Sequence, residues 1–136
     1  MKYLEDIDLE AFIQQDQLDS LIEDDVTILD KAESYALARV SSYLSGRWNV
    51  DQEYTLSGDA RNLDLVQNVV DLTIFYIHKR ISPRAIPNHR IEAYTNAIEW
   101  LKDVNKGNLN IKIAKLTPSQ VVPITYGTNE RPNNGY

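Results

Sequence analysis

The residues of this chain that could bind a metal or attack a substrate are few and poorly partnered. Asp24, Asp25 and Asp30 stand close enough in sequence to suggest a calcium loop. Such a loop needs acidic ligands at alternating positions, a central glycine for its sharp turn and a closing bidentate glutamate, and this stretch lacks all of these. His78 and His89 are separated by Pro83 and Pro87, without the i, i+4 spacing that places a zinc pair on one helix face. The serines and aspartates have no partnered histidine to make a triad or a nucleophile elbow. With no cysteine there is no disulfide and no thiolate chemistry. These residues predict no enzyme, no cofactor and no metal site. The acids read as a solvated face that suits helix N-termini, and both histidines read as surface or loop residues.

The chain that would have to position any such site has 136 residues, enough for one core and too few for two. Its composition, 43% hydrophobic and 25% charged, is that of a folded domain. The net charge of -6 is unevenly placed. Residues 1 to 30 hold ten acids and only Lys2, giving -9, whereas residues 31 to 136 carry +3. A sequence-reading nucleic-acid binder would show a basic stripe, and the balance here argues against tight DNA binding. The opening MKYLEDIDLE puts acids where a signal peptide needs an apolar run. No stretch is long and apolar enough to predict a membrane span.

The elements organise around Leu63 to Ile77, in which ten of fifteen residues are large and apolar. Its polar residues Asp64, Gln67, Asn68 and Asp71 recur at i, i+3, i+4 and i+7, one narrow stripe of a central helix. Upstream, Leu4, Ile7, Leu9, Phe12 and Ile13 predict a short amphipathic helix. Leu18, Leu21 and Ile22 predict a second before the acidic break Glu23-Asp24-Asp25. From Ile28 to Ser45, Ala32, Ala36, Val40, Tyr43 and Leu44 mark a helix with alanines for close packing, stopped by Gly46. Trp48, Tyr54 and Leu56 sit in the following loop, 49 to 62, as aromatic and apolar lids on the core.

The last helix opens at Pro87 or Asn88 and ends near Lys106, with Gly107 behind it. Ile91, Tyr94, Ile98 and Leu101 form one face, and Ala93, Ala97, Trp100 and Val104 an adjacent one, both read as core. The fold class is therefore all-α: a bundle of four or five helices over residues 1 to 108, followed by an extended C-terminal arm over 109 to 136. In that arm Leu109, Ile111 and Ile113 alternate with Asn110 and Lys112, a short strand pattern without a second strand to pair it. Thr117-Pro118-Ser119 turns the chain, Val121, Val122, Ile124 and Tyr126 cluster around Pro123, and residues 131 to 136 are too polar to fold alone. The arm is expected to dock on a partner through Ile111, Ile113, Val121, Val122, Ile124 and Tyr126, by strand addition or in a groove. The alternative is an arm folded back on its own bundle.

Several of these segments, in this order, resemble the small helical head-tail connector proteins of tailed phages, the adaptor or head-completion family also found in Mu-like prophages. The closing helix carries the family's pattern in Ala93-Tyr94, Ala97-Ile98, Trp100-Leu101, Val104 and Gly107. Tyr3-Leu4 with Asp6-Ile7 resembles its opening. Ala32 to Trp48 resembles its alanine-spaced helix, ending in Tyr43-Leu44, Gly46-Arg47 and Trp48, and Asp71-Leu72 stands where the family has its central aspartate. The resemblance spans residues 3 to 108 and leaves out the arm. It departs in the loop after Trp48, which lacks a proline, and at Thr73, where the family has a small residue.

The resemblance implies a virion structural protein at the head-tail junction, present in the host cytoplasm during assembly. It would form a ring, a dodecamer to match the portal protein. That ring would join the portal to a neck, stopper or tail-completion protein while genomic DNA passes through without specific binding. The resemblance implies no membrane partner. A conduit for a sliding polyanion does best with an acidic or neutral lining, because cationic walls would hold the DNA. Asp16, Asp19, Glu23, Asp24 and Asp25 are the candidate channel-facing acids. The alternative is a non-viral helical module that binds one partner protein through its C-terminal arm.

Overall fold

A computed structural model describes residues 1–117, and within them the fold is helical. The elements are α1 (Asp6–Glu10), α2 (Gln15–Ile22), α3 (Val26–Leu44), α4 (Val50–Glu53), a 3-10 turn (Gly58–Ala60), α5 (Leu63–Ile81) and α6 (Asn88–Lys106). The predicted central helix is α5, which packs against α1, α2, α3 and α6. Leu65, Val66, Val69, Val70, Leu72, Ile74 and Ile77 bury its apolar flank. Burial at Ala32 and Ala36 gives α3 the small surface on which α5 lies. Thr73 is fully buried too, and its hydroxyl donates to the Val69 carbonyl at 2.8 Å, so its polar group is satisfied within its own helix.

Helix ends follow the local chemistry. Asp25 caps α3 by accepting from the Thr27 N–H at 3.0 Å, and Asn62 caps α5 by accepting from the Leu65 N–H at 2.9 Å. Gly107 closes α6 at φ 85°, a left-handed conformation that a side chain disfavours. The predicted acidic break is a real one: Glu23 and Asp24 are consecutive left-handed residues, at φ 55° and 58°, that turn α2 into α3.

Three expectations need correction. The first predicted helix is only five residues long, and Tyr3 and Leu4 precede it outside any helix, where a buried side chain, Glu33, accepts from their backbone N–H groups. Leu9 and Ile13 are buried as expected, whereas Ile7 and Phe12 are exposed. Trp100 is half-buried at the margin of the core, and Ile91 is exposed, so the core face of α6 narrows to Ala97, Leu101 and Val104. Finally, the alternation of 109 to 113 yields no strand among the described residues. It reflects one-sided burial on the bundle: Ile111 and Ile113 pack against the core while Leu109 and Lys112 face out. The peptide groups just beyond find partners in the Trp48 loop. Trp48 and Lys115 form an isolated antiparallel bridge, the Asn49 N–H donates to the Ala114 carbonyl at 2.8 Å, and the Leu116 N–H donates to the Arg47 carbonyl at 3.2 Å.

Candidate functional site

The acids proposed for a channel lining lie along α2 and its exit turn. Asp16, Glu23, Asp24 and Asp25 are exposed and Asp19 is half-buried. They do not converge on one point, and three have work inside the chain. Asp19 accepts from the Gln15 amide at 2.7 Å, Glu23 meets Arg80 at 3.4 Å, and Asp25 accepts from both the N–H and the hydroxyl of Thr27. Asp16 lines a shallow pocket of about 430 Å³ with Ser20, His78, His89 and Arg90. The two histidines, distant in sequence, therefore meet at one pocket. Among the described residues no group of three or more acids, histidines or cysteines is placed to hold a metal ion.

Arg90, which lines that pocket, also acts electrostatically on Asp71 of α5. Burial raises its carboxyl from 3.8 to about 6, against the nearby Arg90, which pulls it down. Burial likewise lowers the His78 imidazole, helped by Arg90 and His89. Arg90 reaches across to the Phe12 carbonyl at 3.1 Å and so ties α6 to the N-terminal segment.

Of the predicted arm contacts, Ile111 and Ile113 rest against the bundle's own core. Val121, Val122, Ile124 and Tyr126 lie outside the described residues. The arm's root is thus folded back, joined by the bridge at Trp48 and by the Asn62 amide donating to the Lys112 carbonyl at 3.3 Å. Trp48 itself is the expected lid: 8% exposed, with the Arg47 guanidinium 5.0 Å from its ring centroid. Its indole N–H is buried without a hydrogen-bond partner among the described residues. Arg47 also donates to the carbonyl of Asn105, bracing the end of α6.

Two groups of residues were not singled out from the sequence. One is a buried polar network at the N-terminus. Glu33 accepts the N–H groups of Lys2, Tyr3 and Leu4, Glu53 accepts from the Tyr3 hydroxyl and the Asn62 N–H, and Arg61 pairs with Asp8 at 2.5 Å while donating to the Tyr3 carbonyl. Burial alone would raise Asp8, but the Arg61 bond and the local backbone outweigh it and hold the carboxyl below its ordinary value. Burial also pushes the Tyr54 hydroxyl, which donates to the Leu37 carbonyl, up to about 12. The other group is an aromatic and cationic surface along α3 and α5. The spacing Lys31, Tyr35, Arg39, at i, i+4 and i+8, was its signal in the sequence.

Among the described residues no helix is long and apolar enough to cross a membrane. No curated protein and no solved structure matches the chain significantly. A family model, Bacteriophage Mu, Gp36, matches residues 3–121, which extends the agreement beyond residue 108 into the first part of the arm. The family pattern thus includes the very segment that folds back on the Trp48 loop, and the chain belongs to the bacteriophage Mu Gp36 family.

Proposed function

We propose that this phage protein is a structural adaptor of the head-tail junction, which sits as a ring between the portal and the next neck component and surrounds the DNA channel. The observation that carries the reading is the family match over residues 3–121, joined to the segment-by-segment resemblance to connector proteins. It favours a phage role over a non-viral interaction module. The reading fits a small helical domain whose chemistry is packing and hydrogen bonding. Its task is assembly, and turnover has no part in it. The acids of α2 and its exit turn are the proposed channel-facing groups, with Asp16 and Asp24 the strongest candidates because Asp19, Glu23 and Asp25 answer partners within the chain.

In the absence of a portal the chain is expected to be a monomer or weak oligomer, since the described residues offer no long apolar seam for a self-standing ring. The test combines the purified protein with the portal of the same phage and images the product by electron microscopy. A ring added to the portal supports the proposal. Absence of binding, together with absence of the protein from purified particles by mass spectrometry, overturns it.

A further inference from the structure

Across α3 and α5 run two adjoining grooves, of about 580 and 510 Å³, that share Tyr35, Tyr76 and Arg80. Lys31, Arg39, Lys79 and Arg80 line them and, among the described residues, no acid does, in a chain whose net charge is -6. Tyr35, 56% exposed, stands edge-on to Tyr76 with centroids 6.5 Å apart, and the Arg39 guanidinium lies beside the Tyr76 hydroxyl. Of the four cations, Arg80 is engaged by Glu23 at the rim. This is an apolar floor with a cationic border, and it suits an acidic segment that carries an apolar anchor.

The same chain presents such a segment. On α1 and just after it, Ile7 is 70% exposed and Phe12 41% exposed, flanked by the exposed acids Asp6 and Glu10. The two surfaces lie on opposite sides of the molecule. Glu33 and Tyr35 point about 200° apart on α3, and Glu33 is the residue that holds the N-terminal segment. On α5, Asp71 and Tyr76 stand about 140° apart, and Asp71 lies within the electrostatic reach of Arg90, whose guanidinium donates to the Phe12 carbonyl. The acidic edge therefore cannot reach its own groove. A second copy can bring it there, and a contact between two different faces leaves each copy with one free face for the next.

We infer that the groove between α3 and α5 receives the Asp6 to Phe12 edge of a second copy of this chain, with Ile7 or Phe12 against Tyr35 and Tyr76, and Asp6 and Glu10 against Arg39 and Lys79. The inference deepens the ring reading above, on which it rests for its setting. Its test uses the isolated chain, so that failure here and failure to enter particles are separate results.

The experiment is sedimentation of the full chain over a concentration series at about 0.01 M and about 1 M salt, between which the screening length falls from about 30 Å to about 3 Å. Wild type should associate at low salt and dissociate at high salt. Arg39→Glu with Lys79→Glu, or Asp6→Lys with Glu10→Lys, should each lower the association constant about tenfold or more, equivalent to about 1.4 kcal/mol. An equimolar mixture of the two reversed variants should restore association, because each then offers the complement of the other. Tyr35→Ala should weaken association without altering its salt dependence, and thermal melts check that every variant is folded. A wild type that stays monomeric at low salt, reversed variants that associate as well as wild type, or a mixture without recovery each overturn the inference. So would duplex DNA retained by wild type and lost by the groove variant while self-association is unchanged.

Discussion

The Glu33 carboxylate, buried in the middle of α3, accepts the backbone N–H of Tyr3 at 2.9 Å and that of Leu4 at 2.7 Å, thirty residues away in sequence. With the Lys2 N–H at 2.6 Å, one side chain satisfies three consecutive peptide donors that precede α1 and have no helix to bond to. The N-terminal segment is thereby fixed on the bundle. Glu33→Ala would leave those donors facing an apolar site, and each buried unsatisfied group costs about 1–3 kcal/mol. We expect Glu33→Ala to cost about 3 kcal/mol or more in denaturant unfolding, and Glu33→Gln less because one acceptor oxygen remains. A loss below about 1 kcal/mol for Glu33→Ala would show that the segment is held by Leu4 and Leu9 alone.

Arg61 makes a second test of the same network. Its guanidinium meets both Asp8 oxygens, at 2.5 and 3.2 Å, and is almost fully buried. Removing one member of a buried pair strands the other, at about 3–5 kcal/mol. Arg61→Ala should therefore cost more than Asp8→Ala, since Arg61 also gives up its bonds to the Tyr3 and Gly58 carbonyls. In the double variant the losses should fall short of the sum of the singles. Additive losses would mean that the pair is not coupled.

The Asp71 carboxyl predicts a pH effect of definite sign. It ionises at about 6 in the folded chain and at 3.8 ordinarily. Between those values the unfolded chain has released the proton that the folded chain still holds, so stability contributed at low pH is lost as pH rises from about 4 to about 6. Asp71→Asn removes that contribution. The melting midpoint of the variant, measured relative to wild type, should therefore rise between pH 4 and 6. A difference that is flat with pH would place Asp71 in water.

Much of the fold was legible because its long helices carry their own punctuation. The single polar stripe of α5, the alanine spacing of α3, and Gly107 behind α6 set those elements to within a few residues of their observed ends. What was illegible depended on partners far away in the chain. Nothing local tells Glu33, Glu53 and Arg61 from any surface charge, because their burial follows from Tyr3, Asn62 and Asp8 coming to meet them. The alternation from Leu109 to Ile113 predicts a strand on a docking arm, whereas Ile111 and Ile113 rest on the bundle and Leu109 is exposed, since a period of two does not say whether a ladder or a bundle covers the apolar side. The groove had a signal in Lys31, Tyr35 and Arg39, but a cationic aromatic stripe on one helix becomes a surface only when Tyr76 and Lys79 arrive beside it.

Trp100 and Leu101 separate margin from core. Leu101 is fully buried and Trp100 half-buried. Leu101→Ala should cost about 2–5 kcal/mol and Trp100→Ala less, with Lys102→Ala at about 0.5 kcal/mol or below. If Trp100→Ala proved the costliest of the three in denaturant melts, the indole would be more deeply packed than its position indicates.

The arm is best tested by cutting it at two places, because its root and its remainder have different standing. Cutting after Asn108 removes Ile111 and Ile113 from the core surface, together with the bonds that Ala114 and Leu116 make to the Trp48 loop. Half-burial of two isoleucines at roughly 1.5–3 kcal/mol each when full, plus net hydrogen bonds at about 0.5–1.5 kcal/mol, amounts to a few kcal/mol. For a domain of this size that lowers the melting midpoint by roughly ten degrees or more. Cutting after Thr117 leaves all of these contacts in place, so the midpoint should lie well above that of the shorter product. Under the adaptor proposal, the longer truncation product should then fold normally yet enter particles poorly, because Val121, Val122, Ile124 and Tyr126 are missing. Thermal melts of both truncations and their incorporation into particles decide the matter. Equal melts for the two would show that the root contributes nothing to the bundle, and normal incorporation after the cut at Thr117 would remove the arm from assembly.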